Sequence, residues 1–304
     1  MIAQRAQDLE NASGALCVLA SGSSGNCSVL VVPKTETSAR RVILIDAGLS
    51  PSRTAKFLHA RGIRPDEVDE IVFTHLDSDH CHSGWPRAIR PGSWRASLRI
   101  HRMHMARAER MGLLYTRVQP FDESFDAAPN IRFGVEMLAH DDLGVATFRI
   151  AIGQDTQRPE ATLGYATDLG RVTSGLIEHL RAVDVLAIES NYCPEMQLAS
   201  NRPAFLKQRI MGGSGHLSNE EAARAIGLIE PTQRLVLLHL SRQCNCPLTA
   251  ARAHRHHRWE PTISTQHEPT PWIPIHAGAV QKAPIMRTRH TQGRLFAAPS
   301  SDPR

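Results

Sequence analysis

Aromatic residues make up only 5% of the 304-residue chain. Its core must therefore be mainly aliphatic, and the 41% of hydrophobic residues is enough for one large or two ordinary domains. No apolar run approaches the roughly 20 residues of a membrane-spanning helix, so no membrane partner is expected. The opening stretch MIAQRAQDLENASG carries Arg5, Asp8 and Glu10 and lacks an apolar core, so it does not read as a secretory signal. No CxxC pair occurs. Of Cys17, Cys27, Cys81, Cys193, Cys244 and Cys246, only the last two are close in sequence. Reduced thiols and a cytoplasmic location are expected. Any metal chemistry then falls to histidine and aspartate. The net charge of +5 is compatible with a polyanionic partner but does not demand one. There is no internal repeat.

The apolar segments read as strands and helices in alternation. Residues 15–20 and 27–32 predict two strands around the turn Ser21-Gly-Ser-Ser-Gly-Asn26. A third strand, 41–46, ends on Asp46. A helix over about 52–60 stops before Gly62. The strand 69–74 delivers Phe73-Thr-His-Leu-Asp-Ser-Asp-His-Cys-His82. Strands are predicted at 131–139, 145–152, 161–167, 183–189 and 234–240, with late ones at 262–266 and 271–275. Helices are predicted near 173–181 and 219–229. This order suggests two facing sheets with helices outside and a site where strand ends meet. Residues 14–278 form the expected domain. Residues 1–13 are an N-terminal arm, and 279–304 read as a disordered basic tail.

One short stretch holds His75, Asp77, Asp79 and His80. Two carboxylates packed side by side repel each other unless a cation neutralises them. A polar loop is the plainer reading. However, apolar runs elsewhere also close on such residues: Asp46, His140, Asp168 and His239. This recurrence points to one shared metal site.

At these residues the chain resembles the metallo-beta-lactamase superfamily. His75-Leu-Asp77-Ser-Asp79-His80 is similar to its HxHxDH motif, with His140, Asp168 and His239 in the family's order. Within the superfamily the chain looks most like the WalJ (YycJ) group of exonucleases. Leu19–Asn26, Leu44-Ile-Asp-Ala-Gly48, Gly164–Asp168, Glu189-Ser-Asn-Tyr192, Gly215–Asn219 and Leu238–Ser241 carry that likeness. The resemblance implies an α/β fold, a four-layer αββα sandwich. It also implies two divalent metal ions, zinc or manganese or else iron. One would take His75, Asp77 and His140, and the other Asp79, His80 and His239. Asp168 would bridge them, and a hydroxide between the metals would be the nucleophile. Asp79 is counted as catalytic as well as a ligand. Asp46 would orient a ligand histidine. Asp77 departs from the family's usual histidine. Three acidic ligands against two divalent ions leave about +1 rather than about +2, and the harder oxygen favours manganese or iron over zinc. His82 reads as a loop histidine.

His216 stands just before a predicted helix start at Ser218-Asn219 and resembles the histidine that phosphodiesterase members place beside the scissile phosphate. Its expected role is acid catalysis or phosphate stabilisation. Ser23, Ser24, Asn26, Ser218 and Asn219 are candidate substrate contacts, the first three through a turn whose N–H groups could face an anion. Trp85 to Arg117 holds eight arginines (87, 90, 95, 99, 102, 107, 110 and 117) against Glu109 alone. It reads as a solvated helix face or as a basic wall beside the metals. The expected activity is phosphodiester hydrolysis of nucleic acid by an exonuclease, DNA favoured. Two alternatives stay open: a hydrolase of a small ester, lactone, thioester or cyclic phosphodiester, and a silent nucleic-acid-binding protein with a degenerate metal site.

Overall fold

A computed structural model describes residues 11–89, 94–114, 117–140 and 142–278. Most of the arm, Arg90, Asp141 and the tail expected over 279–304 lie outside these described residues. Seven strands form the first sheet, six of them in chain order: β1 (Gly14–Ala20), β2 (Cys27–Val32), β3 (Arg41–Ile45), β4 (Glu70–Val72), β5 (Ser97–His101) and β6 (Val118–Phe121). The second sheet runs from β7 (Ser124–Ala128) through β8 (Ile131–Leu138), β9 (Val145–Ile152), β10 (Ala161–Ala166), β11 (Val185–Glu189) and β12 (Arg234–Leu238) to β13 (Thr262–Ile263). The last strand, β14 (Ile273–Ile275), returns to the first sheet beside β1. Its Pro274 is tolerated because β14 is an edge.

Both sheets follow one plan. β1 to β3 pair antiparallel, and β3 to β6 pair parallel. β7 to β10 pair antiparallel, and β10 to β13 pair parallel. The strands read as unbroken apolar runs because both faces are buried. Leu16, Val18, Ile43 and Ile45 meet Phe133, Phe148, Leu163 and Val185 between the sheets. Their neighbours Cys17, Leu19, Val42 and Leu44 face outward under Leu58 and Trp85. Leu186, Ile188, Leu235 and Leu237 lie under Leu176, Leu180, Ile226 and Ile229. The result is the four-layer αββα sandwich.

The helices are α1 (Pro51–His59), α2 (Trp85–Ala88), α3 (Met105–Arg110), α4 (Ser174–Leu180), α5 (Pro194–Ala199), α6 (Ala204–Arg209), α7 (Asn219–Ile229) and α8 (Pro247–Ala253). Local chemistry sets their ends. Ser50 caps α1 ahead of Pro51. Ser218 and Glu221 close a capping box on α7. The arginine-rich stretch, read as a solvated helix face or a basic wall, does not form a single helix. It contributes α2, β5 and α3, with Arg99 paired to Glu70 at 3.2 Å and Arg102 to Asp122 at 2.6 Å. The dense charge hides the short strand Ser97–His101, whose residues are otherwise mostly buried. The strand expected over 69–74 ends at Val72, because Thr74 turns away to bond Asp46.

Candidate metal centre

The parallel strands of both halves carry their polar residues at their C-terminal ends. Asp46, Asp168 and His239, each at or just past such an end, have left-handed backbones, with φ of 61°, 52° and 55°. That conformation costs a non-glycine residue about 1–2 kcal/mol, so it is kept where the fold holds it for a purpose.

The loop after β4 is pinned from behind. Its Asp79 carbonyl accepts from the Asn26 N–H at 2.7 Å, and its His80 carbonyl accepts from the Ala47 N–H at 2.7 Å. A Cβ at Gly48 would overlap the Asp79 carbonyl. Glycine is required there by this close approach.

Within that frame the histidines gather. Ring centroids lie 4.1 Å apart for His75 and His80, 5.3 Å for His75 and His140, and 5.8 Å for His80 and His239. The donor atoms of His75, Asp77 and His140 fall within 4.8 Å of one another, and so do those of Asp79, His80 and His239. Asp168 joins the two triads. Its carboxylate contacts the His80 Nε2, and it lies 3.7 Å from the His75 Nε2 and 3.3 Å from the His239 Nδ1.

The partners behind these groups fix their orientation. The His80 Nδ1 donates to Asp46 at 2.8 Å. Asp46 is held by the Thr74 N–H and hydroxyl at 2.8–3.0 Å. The Asn191 amide donates to the His239 carbonyl at 2.7 Å and lies 3.0 Å from its Nδ1.

The electrostatics are those of a closely packed ion cluster. Burial alone would push His80 and His239 down. Asp168 with Asp46 outweighs it at His80, which sits well above the ordinary range. Asp168, Asp79 and Glu189 outweigh it at His239, which rises to about 10. Burial would raise Asp168, yet His239, His80 and His75 hold it well below the usual carboxylate range. His75 goes the other way, lowered by burial and by the nearby His80. The residues fit divalent ions. The His140 Nδ1 is buried without a hydrogen-bond partner, as a lone pair placed for a ligand would be. Nitrogen and carboxylate donors converge in sets of three, the donor chemistry of zinc and its neighbours.

His216 stands at the same cluster, with its ring 5.1 Å from that of His239 and 5.8 Å from that of His140. Its Nδ1 meets the fully buried Glu189 at 2.7 Å. Sequence reasoning missed Glu189 as a site residue. It closes the buried run of β11 just as Asp46 follows that of β3, so the strand-end pattern could have found it. Asn191 and Arg202 were missed as well. Asn191 lies in the segment Glu189-Ser-Asn-Tyr192 that carried the family likeness, but nothing local in the sequence marks Arg202.

Several candidate contacts are placed elsewhere. The Asn26 side chain closes its own turn, accepting from Ser21 and Gly22, and its amide lies 2.9 Å from the His80 Nε2. The turn's N–H groups do not form an anion cradle: those of Gly22, Ser24, Gly25 and Asn26 all donate within the protein. Ser218 is occupied by its capping box, and Asn219 by Ser190 and Asn245. Ser24 is exposed and accepts from Arg242 at 3.4 Å. Ser23 lines the cleft. His82 accepts from the Gly84 N–H, a loop contact.

The cleft over the cluster holds about 370 Å³. Its lining includes Ser23, His216, Arg202, Arg209 and Gln243 around the clustered histidines and aspartates. Of the arginine stretch, Arg107 reaches the cluster, pairing with Asp77 at 2.6 Å.

The beta-lactamase superfamily domain matches residues 41–240, about two-thirds of the chain. The chain belongs to the beta-lactamase superfamily. On this membership it is a metal-dependent hydrolase. It is 29% identical over 243 residues to the exodeoxyribonuclease WalJ of Streptococcus pneumoniae serotype 2 (strain D39 / NCTC 7466), covering 75% of this chain and 82% of the relative. It is 26% identical over 242 residues to the exodeoxyribonuclease YycJ of Bacillus anthracis, covering 74% and 81%. The crystal structure of the metallo-beta-lactamase fold protein YhfI from Bacillus subtilis superposes with a TM-score of 0.63 at 14% identity, covering 84% of this chain and 98% of that one. No helix among the described residues is long and apolar enough to cross a membrane.

Proposed function

We propose that this protein is a dinuclear-metal phosphodiesterase that degrades nucleic acid exonucleolytically, with DNA favoured. His216 carries the reading. With its Nδ1 committed to Glu189, Nε2 is the nitrogen that can meet a substrate in the cleft. A histidine so placed can protonate the oxygen of a departing nucleotide or stabilise a phosphate oxygen. A beta-lactam or thioester needs no such group. The exodeoxyribonuclease relatives support the same substrate class.

In this reading, residues 14–278 form the hydrolase domain of a cytoplasmic protein. His75, Asp77 and His140 would hold one cation and Asp79, His80 and His239 the other, with Asp168 placed beside both groups. Bound divalent ions supply Lewis acidity and a hydroxide nucleophile at neutral pH. Asp46 and Thr74 keep the His80 ring aimed at the cluster, and Asn191 does so for His239. Glu189 fixes the ring of His216 through the contact with its Nδ1. Asp77, an oxygen ligand shared with Arg107, favours manganese or iron at its position.

The test is incubation with 5′-labelled single- and double-stranded DNA and RNA, with manganese and with zinc. Stepwise shortening of DNA is the expected result. Intact nucleic acids together with rapid hydrolysis of a lactone or thioester would assign the site to small molecules.

A further inference from the structure

Arg202 lines the cleft together with the ligand residues, and its guanidinium is held by three side chains. Its Nε donates to the Gln243 Oε1 at 3.0 Å, one terminal nitrogen to the Gln197 Oε1 at 3.2 Å, and the other to the Ser241 Oγ at 3.4 Å. All three acceptors are neutral. Among the described residues Arg202 forms no ion pair. It differs in this from Arg99, Arg102 and Arg107, which face Glu70, Asp122 and Asp77.

The anchoring ties this cation to the ligand cluster. Ser241 lies two residues after His239, and its N–H donates to the carbonyl of Asn191, whose side chain holds His239. Gln197 is fully buried, so its end of the support does not sway with solvent. Three of the five guanidinium N–H groups are engaged, leaving donors in a fixed fork. A half-buried charge fixed by neutral groups keeps its field for an incoming anion.

We propose that Arg202 is a specificity residue that binds a second phosphate of the substrate strand, next to the phosphate attacked at the ligand cluster. It makes the protein select a polynucleotide over an isolated phosphodiester. This rests on the nuclease reading and adds to it a requirement for adjacent phosphates.

The experiment compares kcat/KM for a dinucleotide with one internucleotide phosphate and a trinucleotide with two, in the metal-loaded protein. The unmodified protein should prefer the trinucleotide by about 10- to 100-fold, the worth of one charge-assisted fork, with the difference carried by KM. Arg202→Gln should bring the preference to within about threefold. Arg202→Lys should keep an intermediate value, since a point charge replaces the fork. Metal content and melting temperature report on folding, and if Arg202→Gln is unstable, Arg202→Lys decides. An undiminished preference in the variants overturns the proposal. So does an equal fall on both substrates, which would make Arg202 a strut between α5 and the 241–243 segment. If the unmodified protein cleaves neither substrate but hydrolyses a lactone, the nuclease reading fails first and this proposal falls with it.

Discussion

The two halves of the molecule share a strand plan but supply their site residues differently. In the first half, His75, Asp77, Asp79 and His80 come from one loop after β4. In the second, Asp168, Glu189 and His239 come from the ends of three adjacent strands, and His216 stands ahead of α7. A loop carrying four donors has no sheet to space them, so its backbone is pinned from behind by Asn26, Ala47 and Gly48. Strand ends are spaced by the sheet itself, and the cost lies in backbone torsion at Asp168 and His239, as it does at Asp46 behind the first-half loop. The first half depends on backing, the second on register.

Asp168 is where the halves meet, and its loss should have the largest effect. Asp168→Ala removes the group that contacts His75, His80 and His239 together. Activity should fall by about 10³-fold or more, and metal analysis should find both positions depleted. Depletion of one position alone would show that Asp168 serves a single metal. His216→Ala should come next, with a fall of about 10²–10⁴-fold in rate and unchanged metal content. Metal loss in that variant would make His216 a ligand instead.

The same contrast explains what was legible in the sequence. The loop motif was readable because four donors sit within six residues. The strand ends Asp46, Asp168 and His239 were readable because apolar runs precede them. Glu189 followed the same rule and was missed because it could equally have been a surface acid. Asn191 and Arg202 act through contacts with residues 48 and 39 positions away, which no local pattern records. β5 to β7 were missed because arginine, proline and aspartate break the apolar pattern that marked the other strands.

Backing and register can be compared with two alanines. Gly48→Ala would drive a methyl into the carbonyl of Asp79, which is backbone and cannot step aside. Gly164→Ala on β10 would meet only side-chain atoms of Leu186, Val183 and Leu180, at 3.1–3.3 Å. The first should cost about 1–3 kcal/mol and the second clearly less, by denaturant titration. Gly48→Ala should also weaken metal binding by Asp79 and His80. Equal costs would show that the loop is not held by its backing.

The smallest effect is expected at Asp77, and it bears on selectivity more than on rate. Asp77 lies between Arg107, at 2.6 Å, and His75, at 3.8 Å. Arg107 draws off part of the carboxylate's charge, so Asp77 should be a weaker donor than an unpaired aspartate. Asp77→His replaces a hard oxygen with a borderline nitrogen and should raise zinc affinity relative to manganese. It also strands Arg107 beside two cations, which opposes binding of either metal. The double variant Asp77→His with Arg107→Gln removes that repulsion and should show the selectivity change undiluted. Competition titrations with zinc and manganese measure both. Unchanged selectivity in the double variant would mean that Asp77 touches no metal and serves Arg107 alone.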